Sequence, residues 1–176
     1  MAELAPSGFT YPNPGFTDDR TVATLAGYRI IDVTRIVGSG VESFKKASEI
    51  LLSFDLQRMV GISVSPDPVR VEDGATMTLR FGWGPFRFTA PSKVVYVRRE
   101  PALMAYAYGT LTGHPESGEV RFELRLDDSE NVSMRVHSVS RPVATIARIG
   151  RPVARFLQSQ TTGRYIEVVA EALADG

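Results

Sequence analysis

Val120-Arg121-Phe122-Glu123-Leu124-Arg125-Leu126 sets an apolar side chain at every second position and a charged one between. That two-residue period belongs to a β-strand with one buried and one wet face, the pattern of an antiparallel sheet. Asp127 to Asn131 supplies a polar turn, and Val132, Met134 and Val136 resume the alternation with Ser133, Arg135 and His137 on the other face. Reading backwards, the same period runs through residues 103–111, where Tyr106, Tyr108 and Thr110 share one face and Ala105, Ala107 and Gly109 the other. It continues through Val94-Val95-Tyr96-Val97, Phe86 and Phe88, and Ala75, Met77, Leu79 and Phe81, with Pro91 marking an edge position or a bulge.

The two ends of the chain change period. Residues 28–37 are rich in β-branched side chains and stop at Gly38-Ser39-Gly40, which predicts a first strand. Val41, Phe44, Ala47, Leu51 and Leu52 then fall at helical spacing, with Ser39 and Glu42 at capping-box distance. After the strands, Ser140 and Pro142 suit a cap and a first helical turn. The stripe Ile146, Ile149, Val153, Phe156, Leu157, Tyr165, Val168, Val169 and Leu173 predicts a long helix broken near Gly150 and Pro152. The predicted class is α+β. A curved antiparallel sheet of about seven strands wraps a long, broken C-terminal helix, since each has one apolar face for the other to cover. This layout resembles the helix-grip fold of the Bet v 1-like superfamily, whose members typically hold an apolar ligand between sheet and helix.

Tyr108-Gly109-Thr110-Leu111-Thr112-Gly113-His114-Pro115-Glu116-Ser117-Gly118-Glu119, followed by Phe122, resembles the signature of the DUF1990 (UPF0548) family. Ser138-Val139-Ser140-Arg141-Pro142 is similar to that family's second landmark. Gly27-Tyr28, Gly38-Ser39-Gly40 with Phe44, and Ala90-Pro91 with Val94-Val95-Tyr96 match further positions in order. Phe54 stands where the family pattern has tryptophan. The resemblance covers nearly the whole chain and implies the helix-grip fold. The family has no known reaction, so none is implied.

Composition bounds the function. The 176 residues, 43% hydrophobic, make one domain with one sizeable core. Twenty Lys and Arg balance twenty Asp and Glu, which argues against binding to nucleic acid or a membrane surface. The chain contains no cysteine, so disulfides, thiolate nucleophiles and cysteine-ligated metals are excluded. The start, Met1-Ala2-Glu3-Leu4-Ala5-Pro6, has neither a basic opening nor an apolar run, and eighteen apolar residues never run together. A soluble, cytoplasmic protein is expected. Residues 1–26, with Pro6, Gly8, Pro12, Pro14 and Gly15, read as an arm that packs on a single domain formed by residues 27–176.

Candidate chemistry is sparse. His114 and Glu116 sit in a hairpin loop, where they could form an acid–base pair at the mouth of a pocket, or simply shape the turn with Pro115 and Gly118. His114, Glu116 and Glu119 make a poor metal site, because His137 belongs to the wet face and a catalytic zinc usually takes more than one imidazole or thiolate. There is no G-x-S-x-G elbow, P-loop or G-x-G-x-x-G, and no cofactor is implied. Tyr106, Tyr108, Thr110, His114, Arg141 and Trp83 are the candidate ligand-binding residues. Tyr106, Tyr108 and Thr110, if turned inward, set hydroxyls in an apolar cavity. Arg141 could clamp an anionic group, and Trp83, between Gly82 and Gly84, could gate the pocket. The leading expectation is a module for a small apolar or amphipathic molecule. A lyase, cyclase or hydrolase using His114 and Glu116 is the alternative. A protein-interaction module is the third, favoured if Phe9, Tyr11 and Phe16 form an exposed patch.

Overall fold

The computed structural model describes residues 8–18, 27–67, 69–83, 86–143 and 162–175. Seven antiparallel strands form one sheet in the order β1-β7-β6-β5-β4-β3-β2. They are β1 (Arg29–Ser39), β2 (Ser63–Ser65), β3 (Thr76–Trp83), β4 (Phe86–Glu100), β5 (Leu103–Thr110), β6 (Glu116–Leu126) and β7 (Asn131–Pro142). Helices α1 (Gly40–Leu52) and α2 (Asp55–Met59) follow β1, and α3 (Thr162–Ala174) closes the chain.

The longest hairpin is the one that the alternation identifies. β6 and β7 pair from Glu116↔Pro142 to Leu126↔Val132, and the Asp127 carboxylate holds their turn by accepting the Ser129 and Asn131 N–H groups (2.9 and 2.8 Å). Met104, Tyr106, Tyr108, Phe122, Leu124, Val132, Met134 and Val136 line the inner face. Phe44, Ala47, Leu51 and Leu52 of α1 and Tyr165, Ile166, Val168 and Val169 of α3 pack into the same core, as their three-and-four spacing requires. Phe54, between α1 and α2, is fully buried in the left-handed backbone region (φ 59°) and meets Tyr106 edge to face, ring centroids 5.7 Å apart.

Three local expectations are corrected. Ser140 and Pro142 do not begin a helix. They end β7, where Ser140 pairs with Arg29 and Gly118, because the β6 and β1 ladders continue past Val139. The stripe from Ile146 to Leu157, with its break at Gly150 and Pro152, lies outside the described residues. Pro91 sits in an interior strand, opposite Thr78. Its carbonyl accepts the N–H of Leu111 just beyond the end of β5, and the Leu111 carbonyl that would face the missing N–H accepts from the His114 N–H instead (3.0 Å). The β4 bulge falls at Val95 instead and turns Tyr96 to the outer face, opposite Ala107. Finally, Ser39 stands at the start of α1 without a side-chain capping bond.

Candidate functional site

Over β5 and most of β6 the outer face of the sheet is not wet. Glu119, Arg121 and Glu123 point away from the core, as their alternation with Val120, Phe122 and Leu124 demands, yet each is only 2% exposed. Residues 8–18 bond to Glu119 and Arg121, and Arg121 and Arg125 hold Glu123. Phe9, Tyr11 and Phe16 are buried with Val139 in a second apolar cluster, against which Tyr28, Val95 and Leu111 pack. The exposed aromatic patch that would have favoured an interaction module is therefore absent at these three residues.

Glu119 is the centre of this arrangement. Its Oε2 accepts the Tyr11 hydroxyl (2.7 Å) and the Gly15 N–H (2.8 Å). Its Oε1 accepts the Thr17 N–H (3.1 Å) and the Thr17 hydroxyl. Four donors from the arm thus satisfy one buried carboxylate, the only way such a charge can leave water at tolerable cost. Burial first, and then the Glu119 charge, push the Tyr11 hydroxyl far above its usual range. Arg121 pairs with Glu123 and reaches the Thr17 carbonyl (3.3 Å), Arg125 donates to the other Glu123 oxygen (2.5 Å), and Arg98 pairs with Asp18. Tyr96, brought here by the bulge, lies 3.3 Å from the Thr17 hydroxyl, and its phenol is pushed up to about 12 chiefly by burial.

The small residues of β5 make room for the arm. A Cβ on Gly109 would lie 1.9 Å from the Tyr11 hydroxyl oxygen, so only glycine lets Tyr11 cross β5 to reach Glu119. Thr110 also serves the arm. It exchanges contacts with Thr10 through backbone (3.0 Å) and hydroxyls (2.5 Å), and its Oγ1 accepts the Gly118 N–H (3.0 Å). Ser117 donates to the Thr10 carbonyl (2.9 Å), and Phe9 bridges Leu111. The string from Gly109 to Glu119 is in large part the seat of residues 9–17. Arg141, exposed, holds its guanidinium 4.9 Å above the Tyr28 ring.

His114 lies in the β5–β6 connection, whereas Glu116, expected in the loop, is the first residue of β6 because its ladder with β7 runs to Pro142. The His114 Nδ1 lies between the N–H (2.9 Å) and the carbonyl (3.0 Å) of Glu116, so either tautomer finds a backbone partner. Burial holds the imidazole down at about 4. The Glu116 carboxyl is raised, again by burial, and accepts the Ser140 hydroxyl (3.1 Å). The two groups are tied by backbone rather than to each other, which is the geometry of a turn clasp. His137 stands 3.3 Å from Asp32, whose carboxylate Arg135 grips at 2.8 and 2.7 Å and holds below the usual range.

Of the five candidates whose side chains are described, Tyr106 and Tyr108 lie together in the interior. Tyr106 is fully buried and accepts from the Gln57 Nε2 (2.9 Å), and the Tyr108 hydroxyl reaches both Gln57 and Tyr165. Burial pushes all three phenols well above their usual range, so they remain neutral. Gln57, also fully buried, has no partner for Oε1 among the described residues. Thr110 and Arg141 belong instead to the outer face, His114 to the loop, and the Trp83 side chain lies outside the described residues. Gln57 goes unselected in the sequence, while Tyr165 reads only as part of a helical stripe, Tyr11 only as part of a possible exposed patch and Glu119 only as a poor metal ligand. The signal for Glu119 was its shared parity with Arg121 and Glu123, three charges on a strand that also had aromatics elsewhere to cover them. A separate open groove of about 500 Å³ lies among Ser53, Asp55, Arg58, Asp67, Val69 and Arg70, and its arginines are already paired with Asp55, Asp67 and Glu49.

A seven-stranded antiparallel sheet with helices gathered on its inner face and a C-terminal helix across it defines the Bet v 1-like, helix-grip class. Ara h 8.0201 has this fold (TM-score 0.56, 12% identity, covering 85% of this chain and 100% of that one). So does norcoclaurine synthase from Thalictrum flavum, solved in complex with dopamine and hydroxybenzaldehyde (TM-score 0.54, 11% identity, 84% and 87%). Within that class the chain belongs to the DUF1990 (UPF0548) family: the model described as "Domain of unknown function (DUF1990)" matches residues 10–168. The UPF0548 protein At2g17695 of Arabidopsis thaliana is 30% identical over 149 residues, 81% of this chain and 72% of that one. No described helix is long and apolar enough to cross a membrane.

Proposed function

We propose that this protein binds a small hydrophobic or amphipathic molecule in the cytoplasm, between the inner face of the sheet and its C-terminal helix. The observation that carries this reading is the Gln57 amide. It is sealed among Phe54, Tyr106 and the apolar core, with one end unanswered among the described residues. An unmatched buried amide end costs about 1–3 kcal/mol, and a binding site is where such a cost is put to use. The polar cluster of Gln57, Tyr106, Tyr108 and Tyr165 would orient the molecule, and the apolar side chains of β5, β6 and β7 would hold the rest. The norcoclaurine synthase complex supports the reading at the level of the fold, which accommodates small aromatic molecules in that protein.

Native mass spectrometry of the purified chain, before and after exposure to neutral aromatic and aliphatic amphiphiles, tests it. Uptake of one equivalent, with movement of the Gln57 side-chain amide signals in NMR spectra, is expected. No uptake and an unmoved amide would refute the proposal.

A further inference from the structure

The interior cluster specifies more than a place. We infer that it selects a molecule ending in a hydroxyl group, an alcohol or phenol, over the corresponding hydrocarbon or carboxylate. The inference rests on the interior-binding reading above and adds the chemical class of its ligand.

Hydrogen-bond accounting leads to this class. Gln57 donates to the Tyr106 oxygen at 2.9 Å, which leaves the Tyr106 proton to be given elsewhere and Gln57 Oε1 to be answered. The Gln57–Tyr106 pair therefore offers, among the described residues, one unused acceptor at Gln57 Oε1 and one unused donor at the Tyr106 hydroxyl, while the other amide N–H faces Tyr108. Turning the amide over uses the Tyr106 proton on Oε1 and frees the NH2 group instead. A hydroxyl both donates and accepts, so it satisfies the cluster in either arrangement. A hydrocarbon satisfies neither and leaves the buried amide end orphaned. A carboxylate accepts only. It would face Oε1 in the first arrangement, and in the second it must still leave water for a cluster of neutral dipoles, where an unpaired charge is expensive. Tyr108 and Tyr165, joined hydroxyl to hydroxyl, extend the same neutral surface.

Three probes of one shape test the inference: 2-naphthol, naphthalene and 2-naphthoate, titrated into the full chain at pH 7, where naphthol is neutral and naphthoate charged. One unmatched hydrogen bond corresponds to roughly tenfold or more in affinity, so naphthol should bind about tenfold tighter than either analogue. Gln57→Met should bring naphthol down to the naphthalene level and leave naphthalene unchanged. Tyr106→Phe should narrow the same gap, giving a second variant should Gln57→Met fold poorly. Naphthalene or naphthoate binding as tightly as naphthol, or a gap unmoved in both variants, would overturn the hydroxyl assignment while leaving the interior site standing. If none of the three binds, the interior site itself falls, and the assignment with it.

Discussion

β5 and β6 carry two different kinds of chemistry on their two faces. Inward, Tyr106, Tyr108 and Phe122 stack with one another, Phe122 meets Tyr165 edge to face, and the phenols there are neutral. Outward, one residue along each strand, Gly109, Glu119 and Arg121 meet a covering arm by close packing and hydrogen bonds, and Arg121 holds Glu123. Both faces are buried, and both bury polar groups. The outer face answers every Glu119 oxygen twice, whereas the inner face leaves an amide end open among the described residues. Satisfied polar groups under a cover fix a structure, and unsatisfied ones in an apolar layer are places for something else.

The largest effect should therefore come from the outer face. Glu119→Ala strands the Tyr11 and Thr17 hydroxyls and the Gly15 and Thr17 N–H groups. Removing one partner of such a buried charged set costs about 3–5 kcal/mol. Urea denaturation should show that loss, and limited proteolysis should cut the chain near residues 9–17 while the β6–β7 hairpin stays intact. Glu119→Gln, which keeps an acceptor, should lose less than half as much. If Glu119→Ala leaves stability and arm protection unchanged, the outer face is not held by its carboxylate.

The loop between the faces gives the next effect, through pH. Folded His114 takes its proton only near 4, against an ordinary 6.5, so between these values the unfolded chain binds a proton that the folded chain refuses. Stability should fall as pH drops through that window, by roughly 3 kcal/mol at most. The raised Glu116 carboxyl acts in the opposite direction and offsets part of the loss at the acid end, because there the folded chain takes up its proton first. Comparing urea midpoints at pH 7 and 4.5, His114→Gln should flatten the slope. A slope unchanged in this variant would show that the imidazole is not excluded from water.

Gly109→Ala should cost about 2 kcal/mol, the scale of overpacking a close contact, because the new methyl falls on the Tyr11 ring. In a Tyr11→Ala background the same substitution should cost much less, and a double-mutant cycle measures the coupling. Additive costs would mean that Gly109 serves β5 alone.

The same contrast explains what the sequence disclosed. Period two in β6 and β7 and period three-and-four in α1 and α3 follow from which side chains must leave water, so strands, helices and inner face were legible. The outer face was not. Alternating charges ordinarily mean solvent, and here the cover comes from residues about one hundred positions away, at Tyr11 and Thr17. Gly118 reads as a turn residue, although it lies within β6 where a Cβ would fall 2.1 Å from the Val139 carbonyl, and Gly109 reads as a strand residue with nothing in its parity to show that it answers a side chain from the arm. Thr110 shares the parity of Tyr106 and Tyr108, yet it sits at the last position of β5, where the ladder with β6 has ended and its hydroxyl is claimed by Thr10. Gln57 gave no signal, since α2 is only five residues long and shows no period of its own.

The smallest effect is the most discriminating. Gln57→Met keeps the length of the side chain and removes both ends of the amide. It deletes one good hydrogen bond, worth about 1 kcal/mol, and leaves the Tyr106 oxygen to Tyr108 and its neighbours. It also deletes an orphaned buried oxygen whose desolvation costs a similar amount. The two terms oppose each other, so the empty protein should shift by less than about 1 kcal/mol in urea denaturation, far below Glu119→Ala although Gln57 is the more deeply buried residue. A group that contributes little to stability while fully enclosed is retained for some other reason, and affinity for a hydroxyl-bearing guest would supply it. If Gln57→Met instead lost several kcal/mol, the amide would have to be fully engaged in the folded core, and the inner and outer faces would then be built on the same principle.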